Sequence, residues 1–87
     1  MGYEVEFTPQ AVKSLEKLDE VIIGRILIRL KRLADNFENV PPEPLHGSMK
    51  GFYKLRTGDY RAVYSVKQQR IIVHLVGHRR DIYKKQS

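Results

Sequence analysis

The first residues of the chain alternate between apolar and polar side chains. Tyr3, Val5 and Phe7 share one face of an extended segment, and Glu4 and Glu6 share the other. A period of two is typical of a strand with one buried face. The pattern therefore predicts a β-strand at the start of the chain.

Two helical repeats follow this strand. Thr8 before Pro9 is typical of an N-cap followed by the first helical position, and predicts a short helix over residues 9 to 18. Asp19 is placed to cap a second, longer helix. Its apolar positions recur with helical spacing and predict a broad buried face: Ile22, Ile23, Ile26, Leu27, Leu30, Leu33 and Phe37. Because little chain separates the helices, we expect a helical hairpin.

The second half of the chain carries three strand patterns. Residues 39–51 hold three prolines and two glycines, and we expect them to form an irregular loop. Apolar and polar side chains alternate in residues 52–57 and 60–66, and residues 71–76 are nearly all apolar. Turn residues separate the three segments. The order predicts an α+β fold, with an amino-terminal strand, a helical hairpin and a three-stranded antiparallel meander. The helices would pack on one face of a four-stranded sheet.

Alternation in the meander assigns its side chains to two faces. The face toward the helices would carry Tyr53, Leu55, Tyr60, Ala62, Tyr64 and Val66. Lys54, Arg56 and Arg61 would then point to the other face and lie close together across a tight hairpin. Like charges in this arrangement repel, and a bound anion would offset the repulsion. Protection of an exposed strand against edge-to-edge association is the alternative explanation.

The charge of the chain is distributed unevenly. Residues 1–49 hold six basic and eight acidic side chains, whereas residues 50–87 hold ten basic and two acidic ones. On the second predicted helix, Arg25, Arg29 and Arg32 lie opposite the apolar face. A one-sided positive field of this kind favours polyanions, above all nucleic acid.

Several other classes of protein do not fit the sequence. The chain has no cysteine, which excludes disulfides and thiolate chemistry, and no apolar run approaches the roughly 20 residues of a membrane span. His74 and His78 would share one face of a strand about 13 Å apart, too far for a common metal ion. No glycine loop has P-loop spacing. We expect a soluble, cytoplasmic protein without a metal or cofactor.

Two segments carry a family resemblance that covers nearly the whole chain. "FYKLRTGDYRAVYSV" followed by "VGHRRDIY" resembles the RelE/ParE superfamily of bacterial toxin–antitoxin modules, and RelE more than ParE. The resemblance implies that residues 1–87 form a single RelE-like domain. It also implies an mRNA interferase, a metal-independent endoribonuclease that cuts mRNA in the ribosomal A site. The expected partners are mRNA, 16S rRNA and a cognate antitoxin of the RelB type or another type II family.

The resemblance also implies roles for individual residues. Lys54, Arg61, Arg79 and Tyr83 match catalytic positions of the family. Basic or RNA-contacting positions are Arg56, His78, Arg80, Lys84 and Lys85. The chain departs from the family archetype at Phe52, where the archetype has a second lysine. The identity of the general base is therefore open.

A ribonuclease without a metal uses the 2′-OH of its substrate, which attacks the adjacent phosphorus and leaves a 2′,3′-cyclic phosphate. We expect Arg61 and Arg79 to converge on one phosphodiester and stabilise its charge. Tyr83 or Lys54 is the candidate base, with a pKa lowered by neighbouring cations. His78 is either the general acid or a structural histidine.

Two other functions fit the same fold. One is a ParE-like inhibitor of DNA gyrase without nuclease chemistry. The other is a toxin homologue with weakened catalysis that still binds RNA, which Phe52 would favour.

Overall fold

The computed structural model describes residues 2–45 and 50–84, and the side chains of Tyr83 and Lys84 lie outside this description. The elements in chain order are β1 (Glu4–Phe7), α1 (Pro9–Glu16), α2 (Glu20–Asp35), a 3-10 turn (Phe37–Asn39), β2 (Glu43–Pro44), β3 (Tyr53–Thr57), β4 (Tyr60–Lys67), β5 (Arg70–His78) and α3 (Arg79–Lys84).

Both predicted helix starts are confirmed by side-chain caps. The Thr8 hydroxyl accepts a hydrogen bond from the backbone N–H of Ala11 at 3.1 Å. The Asp19 carboxylate accepts one from the N–H of Val21, also at 3.1 Å. Each cap satisfies a donor that has no partner within its own helix. None of the described helices is long and apolar enough to cross a bilayer.

The sheet has five strands, in the order β1-β5-β4-β3-β2. The predicted meander is confirmed, since β3, β4 and β5 pair antiparallel, and β1 runs parallel to β5. The prediction of four strands missed one strand, which lies within the segment that was predicted to be an irregular loop. Glu43 and Pro44 form a short edge strand that pairs antiparallel with Lys54 and Tyr53. An edge strand tolerates proline because its outer side needs no N–H donor.

The main core lies between the helices and one face of the sheet. Ile26 and Leu30 of α2 and Ala11 of α1 are buried against Tyr64 and Ile71 of the sheet. The predicted core side chains of β3 and β4 all belong to this cluster or pack against it. The buried face of α2 is narrower than predicted, because Leu27 remains exposed.

The opposite face of the sheet carries a second, smaller apolar cluster. Val63, Ile82 and Leu45 are buried there, with Phe52 and Leu75 packed around them. The two helices of the predicted hairpin pack on one face, as expected, but a third helix that was not predicted covers part of the other face. Helix α3 follows β5 directly and folds back over this second face.

A register shift in β5 places its two histidines on opposite faces of the sheet. Val63 pairs with Leu75 but Tyr64 pairs with Val73, so His74 is an extra residue in β5. Such a bulge re-aims the side chains next to it. His74 contacts residues of the second face, whereas His78 lies opposite Tyr60 on the core face. The prediction that both histidines share one face was wrong.

Candidate active site

The predicted cations of the meander share the face that carries α3, which we call the cationic face. Arg56 lies directly opposite Arg61, and Lys54 lies opposite Val63 one row further along the same strands. On β5, the other neighbour of β4, Gly77 also lies opposite Arg61. Neighbouring rows are about 7 Å apart, so long side chains of both rows reach a common ligand.

Arg61 is a buried residue with only 8% of its surface exposed. Its Nη1 donates hydrogen bonds to the carbonyl of Gly58 at 2.9 Å and to that of Tyr60 at 2.8 Å. Its Nε is buried and has no hydrogen-bond partner in the described part of the chain. A buried donor without an acceptor costs free energy, and an anionic oxygen would satisfy it.

Arg56 has a different partner. Its Nη2 lies 3.3 Å from a carboxylate oxygen of Glu43 in the edge strand β2, and both side chains are exposed. Glu43 also lies opposite Lys54 in the register. The edge strand therefore places one acid beside two of the cations, which reduces the repulsion expected from the sequence.

Arg79 begins α3 at the end of β5. Its backbone N–H donates to the carbonyl of Asp59 at 2.7 Å, and its Nε lies 3.8 Å from the carboxylate of the same residue. Both side chains are mostly exposed, at 58% for Arg79 and 70% for Asp59, so solvent weakens this pair. Arg61 and Arg79 are thus brought to the same turn between β3 and β4.

His78 lies outside the cationic face. Its ring packs edge-on against Tyr60, with the centroids 5.4 Å apart. Its Nδ1 accepts a hydrogen bond from the backbone N–H of Arg80 at 3.1 Å, so the ring caps the first turn of α3. These contacts are those of a structural histidine. Arg80 itself is exposed.

Three of the predicted site residues are not described in full. Tyr83 and Lys84 lie in α3, but their side chains are outside the described part, as is the whole of Lys85. Their predicted roles remain predictions.

A polar pair on the cationic face was missed by the sequence reasoning. Nε2 of His74 lies 2.7 Å from the hydroxyl of Ser65, and the His74 ring packs edge-on against Phe52 at 5.1 Å. Burial lowers the pKa of His74 from its ordinary value of 6.5. The available signal was a serine and a histidine inside otherwise apolar strands, but the bulge that joins them is not visible in the pattern.

The sequence model of the family described as ParE toxin of type II toxin–antitoxin system, parDE, matches residues 5–83. The chain belongs to the RelE/ParE superfamily of type II toxins. A RelE-like toxin protein of Escherichia coli is 35% identical over 89 residues, which cover 95% of this chain and 92% of that protein. Toxin RelG of Mycobacterium tuberculosis is 31% identical and matches over 98% of this chain and 100% of its own length.

Solved structures agree with this assignment. The toxin–antitoxin complex RelBE2 of Mycobacterium tuberculosis contains a chain that superposes with a TM-score of 0.79 at 26% identity. The match covers 90% of this chain and 92% of that one. The fold is therefore that of RelE-type toxins.

Proposed function

We infer that this toxin is a ribosome-dependent endoribonuclease that cuts mRNA without a metal ion. The observation that best supports this is the arrangement of Lys54, Arg56 and Arg61 on one face of the sheet. Arg79 lies at the adjacent turn. Four cations around one region suit a substrate that gains negative charge at phosphorus in the transition state.

Arg61 is the group that we assign to the phosphate. Two hydrogen bonds to the turn hold its guanidinium in one orientation, so little side-chain entropy is lost when a ligand binds. Its buried Nε lacks an acceptor among the described residues. A phosphate oxygen would supply that acceptor with a charge-assisted hydrogen bond.

Arg79 is more exposed and is assigned to the same phosphate from the solvent side. Its pair with Asp59 is long and solvated, and exchange of that carboxylate for a phosphate costs little. Lys54 and Tyr83 stay candidates for the proton-transferring groups.

The expected partner in the cell is an antitoxin. The structural relative RelBE2 is a toxin–antitoxin complex, and this chain covers 92% of the superposed chain of that complex. By analogy we propose a RelB-like or other type II antitoxin, with an acidic or amphipathic segment that binds the basic surface of the toxin. The substrate would be mRNA in the A site of cytoplasmic ribosomes, with Arg25, Arg29, Arg32 and Lys84 available for contacts to 16S rRNA.

Expression in a growing culture tests the proposal. Wild-type toxin should arrest growth, and Arg61→Ala or Arg79→Ala should abolish the arrest while circular dichroism shows a folded protein. Full toxicity of both folded variants would contradict the assigned phosphate clamp.

A gyrase inhibitor is the second candidate, favoured by the ParE description of the matching family. The two functions differ in the molecule that is damaged. A ribonuclease shortens mRNA in a translating extract, whereas a gyrase inhibitor causes DNA breaks to accumulate in cells. DNA breaks with intact mRNA would select the second candidate.

A further inference from the structure

We propose that His74, oriented by Ser65, is the general base that removes the 2′-OH proton in this site. The proposal rests on the ribonuclease activity inferred above and names a residue that the family resemblance does not assign. It is carried by the geometry of the β5 bulge and by the contacts of the His74 ring.

The bulge places His74 on the cationic face. Without the register shift between Val63 and Tyr64, His74 would follow the alternation of β5 and face the other way. Instead its ring contacts Ser65 and Phe52, which border the second apolar cluster. By register, Lys54 lies on the neighbouring row of this face, within reach of the same ligand.

The two ring nitrogens of His74 have different surroundings. Nε2 forms the 2.7 Å hydrogen bond with the Ser65 hydroxyl. Nδ1 forms no hydrogen bond with the described residues. If Nε2 donates to Ser65, Nδ1 carries the free lone pair of the ring and can accept a proton. This is the arrangement of a base oriented by a third group.

The other histidines do not compete for this role within the described part of the chain. His78 lies on the core face, and its Nδ1 is occupied by the N–H of Arg80. His46 lies outside the described residues. Among the described residues, His74 is thus the side chain on the cationic face whose ordinary pKa lies nearest to neutrality.

Burial lowers the pKa of the His74 ring and so favours its neutral form. Among the described residues, Ser65 from β4 contacts the ring by a hydrogen bond and Phe52 before β3 by an aromatic contact, and both are uncharged. At the N-cap of α1, the Thr8 hydroxyl donates to the His74 carbonyl at 3.5 Å and not to the ring. The neighbouring row of the face carries two charged residues, Lys54 and, opposite it in the register, Glu43.

The reaction step balances without an added reactant. Nδ1 takes the proton of the 2′-OH as the O2′–P bond forms and the P–O5′ bond breaks. The imidazolium then releases the proton to solvent, and the 5′-oxygen takes one up and leaves as an alcohol. The products are a 2′,3′-cyclic phosphate and a 5′-hydroxyl end.

Single-turnover cleavage of mRNA on ribosomes, measured from pH 5 to 8, tests the assignment. The wild-type rate should fall as the pH drops through the pKa of His74. His74→Gln should lower the plateau rate by about 100-fold or more and remove this fall. Ser65→Ala should lower the plateau rate less than His74→Gln does, because it removes the hydrogen bond that orients the ring but keeps the base. Ile72→Val, a conservative change on the same strand, is the matched control and should leave the rate unchanged.

A second measurement uses the wild-type protein and so does not depend on whether the variants fold. Nitrogen NMR of the histidine rings should show His74 neutral at pH 7 with its proton on Nε2. A proton on Nδ1 would overturn the proposal, as would a His74→Gln variant with the wild-type rate and pH profile. If wild-type toxin itself cleaves no mRNA on ribosomes, the proposed function fails, and the role of His74 fails with it.

Discussion

Arg56 and Arg61 lie directly opposite each other across the β3–β4 hairpin, yet each is held by a different partner. Arg56 pairs with Glu43 at the solvent-exposed edge, and Arg61 is buried and bonded to the carbonyls of the turn. The like charges are thus separated by the direction of their side chains. Of these two arginines, Arg61 is the one whose guanidinium is oriented by backbone hydrogen bonds, which is why we assign it to the phosphate.

Replacement of Arg61 by lysine should separate charge from geometry. Lysine keeps the positive charge but loses the planar fork that donates to Gly58 and Tyr60. We expect a loss of about 1–3 kcal/mol in the free energy of unfolding, together with loss of toxicity. Urea denaturation and a growth assay measure the two effects. Arg56→Lys is the control for stability and should change it by less than about 1 kcal/mol, since its ion pair is exposed.

The contact between Gly77 and Ile82 predicts a size limit at the base of α3. A Cβ at Gly77 would lie 3.6 Å from Cδ1 of Ile82, which is ordinary van der Waals contact. Gly77→Ala should therefore fold, with a gain of up to about 1 kcal/mol from the stiffer unfolded chain. Gly77→Leu should cost about 1–3 kcal/mol because it displaces Ile82. Equal stability of the two variants in urea would show that α3 does not pack on β5 as described.

The turn between β4 and β5 is strained. Gln68 and Gln69 have φ angles of 49° and 64°, in the left-handed region that glycine tolerates best. Gln69→Gly should raise the free energy of unfolding by about 1 kcal/mol. For a domain of this size the melting temperature should rise by about 4–8 °C.

The opposite substitution at the other hairpin provides the control. Gly58 has a φ of 60°, so Gly58→Ala should be destabilising by about 1–2 kcal/mol. A loss of stability in Gln69→Gly would contradict the assigned turn conformation.

Tyr64 predicts a change of stability at alkaline pH. Burial, with smaller effects from Tyr53 and Glu43, raises the pKa of Tyr64 to about 12 from an ordinary value of 10. The folded state therefore keeps its proton where the unfolded state loses it, and stability should fall as pH rises from about 10 to about 12. Unfolding in urea at a series of pH values measures this, and Tyr64→Phe should fall less steeply over the same range.

Much of the fold is readable from the sequence because local signals and tertiary packing agree. Thr8 and Asp19 mark the helix starts by cap chemistry, and strict alternation assigns β3 and β4 to their faces. Both signals depend on neighbours within a few residues.

The elements missed by the sequence reasoning depend on contacts with distant parts of the chain. Strand β2 consists of two residues, one of them Pro44, and exists because β3 offers an open edge. The bulge at His74 has no local marker, so the alternation put both histidines on one face, whereas the structure places them on opposite faces. The burial of Arg61 also follows from the turn and from the apolar cluster on its face, and an isolated strand pattern shows neither.

The chemistry of the RNA ends tests the central claim most directly. We predict that mRNA cut by wild-type toxin in a translating extract carries 2′,3′-cyclic phosphate at the new 3′ ends and a hydroxyl at the new 5′ ends. Arg61→Ala should produce neither end above background. New 3′-hydroxyl ends, or cuts of undiminished yield by folded Arg61→Ala, would contradict cleavage by 2′-OH attack at the cationic face.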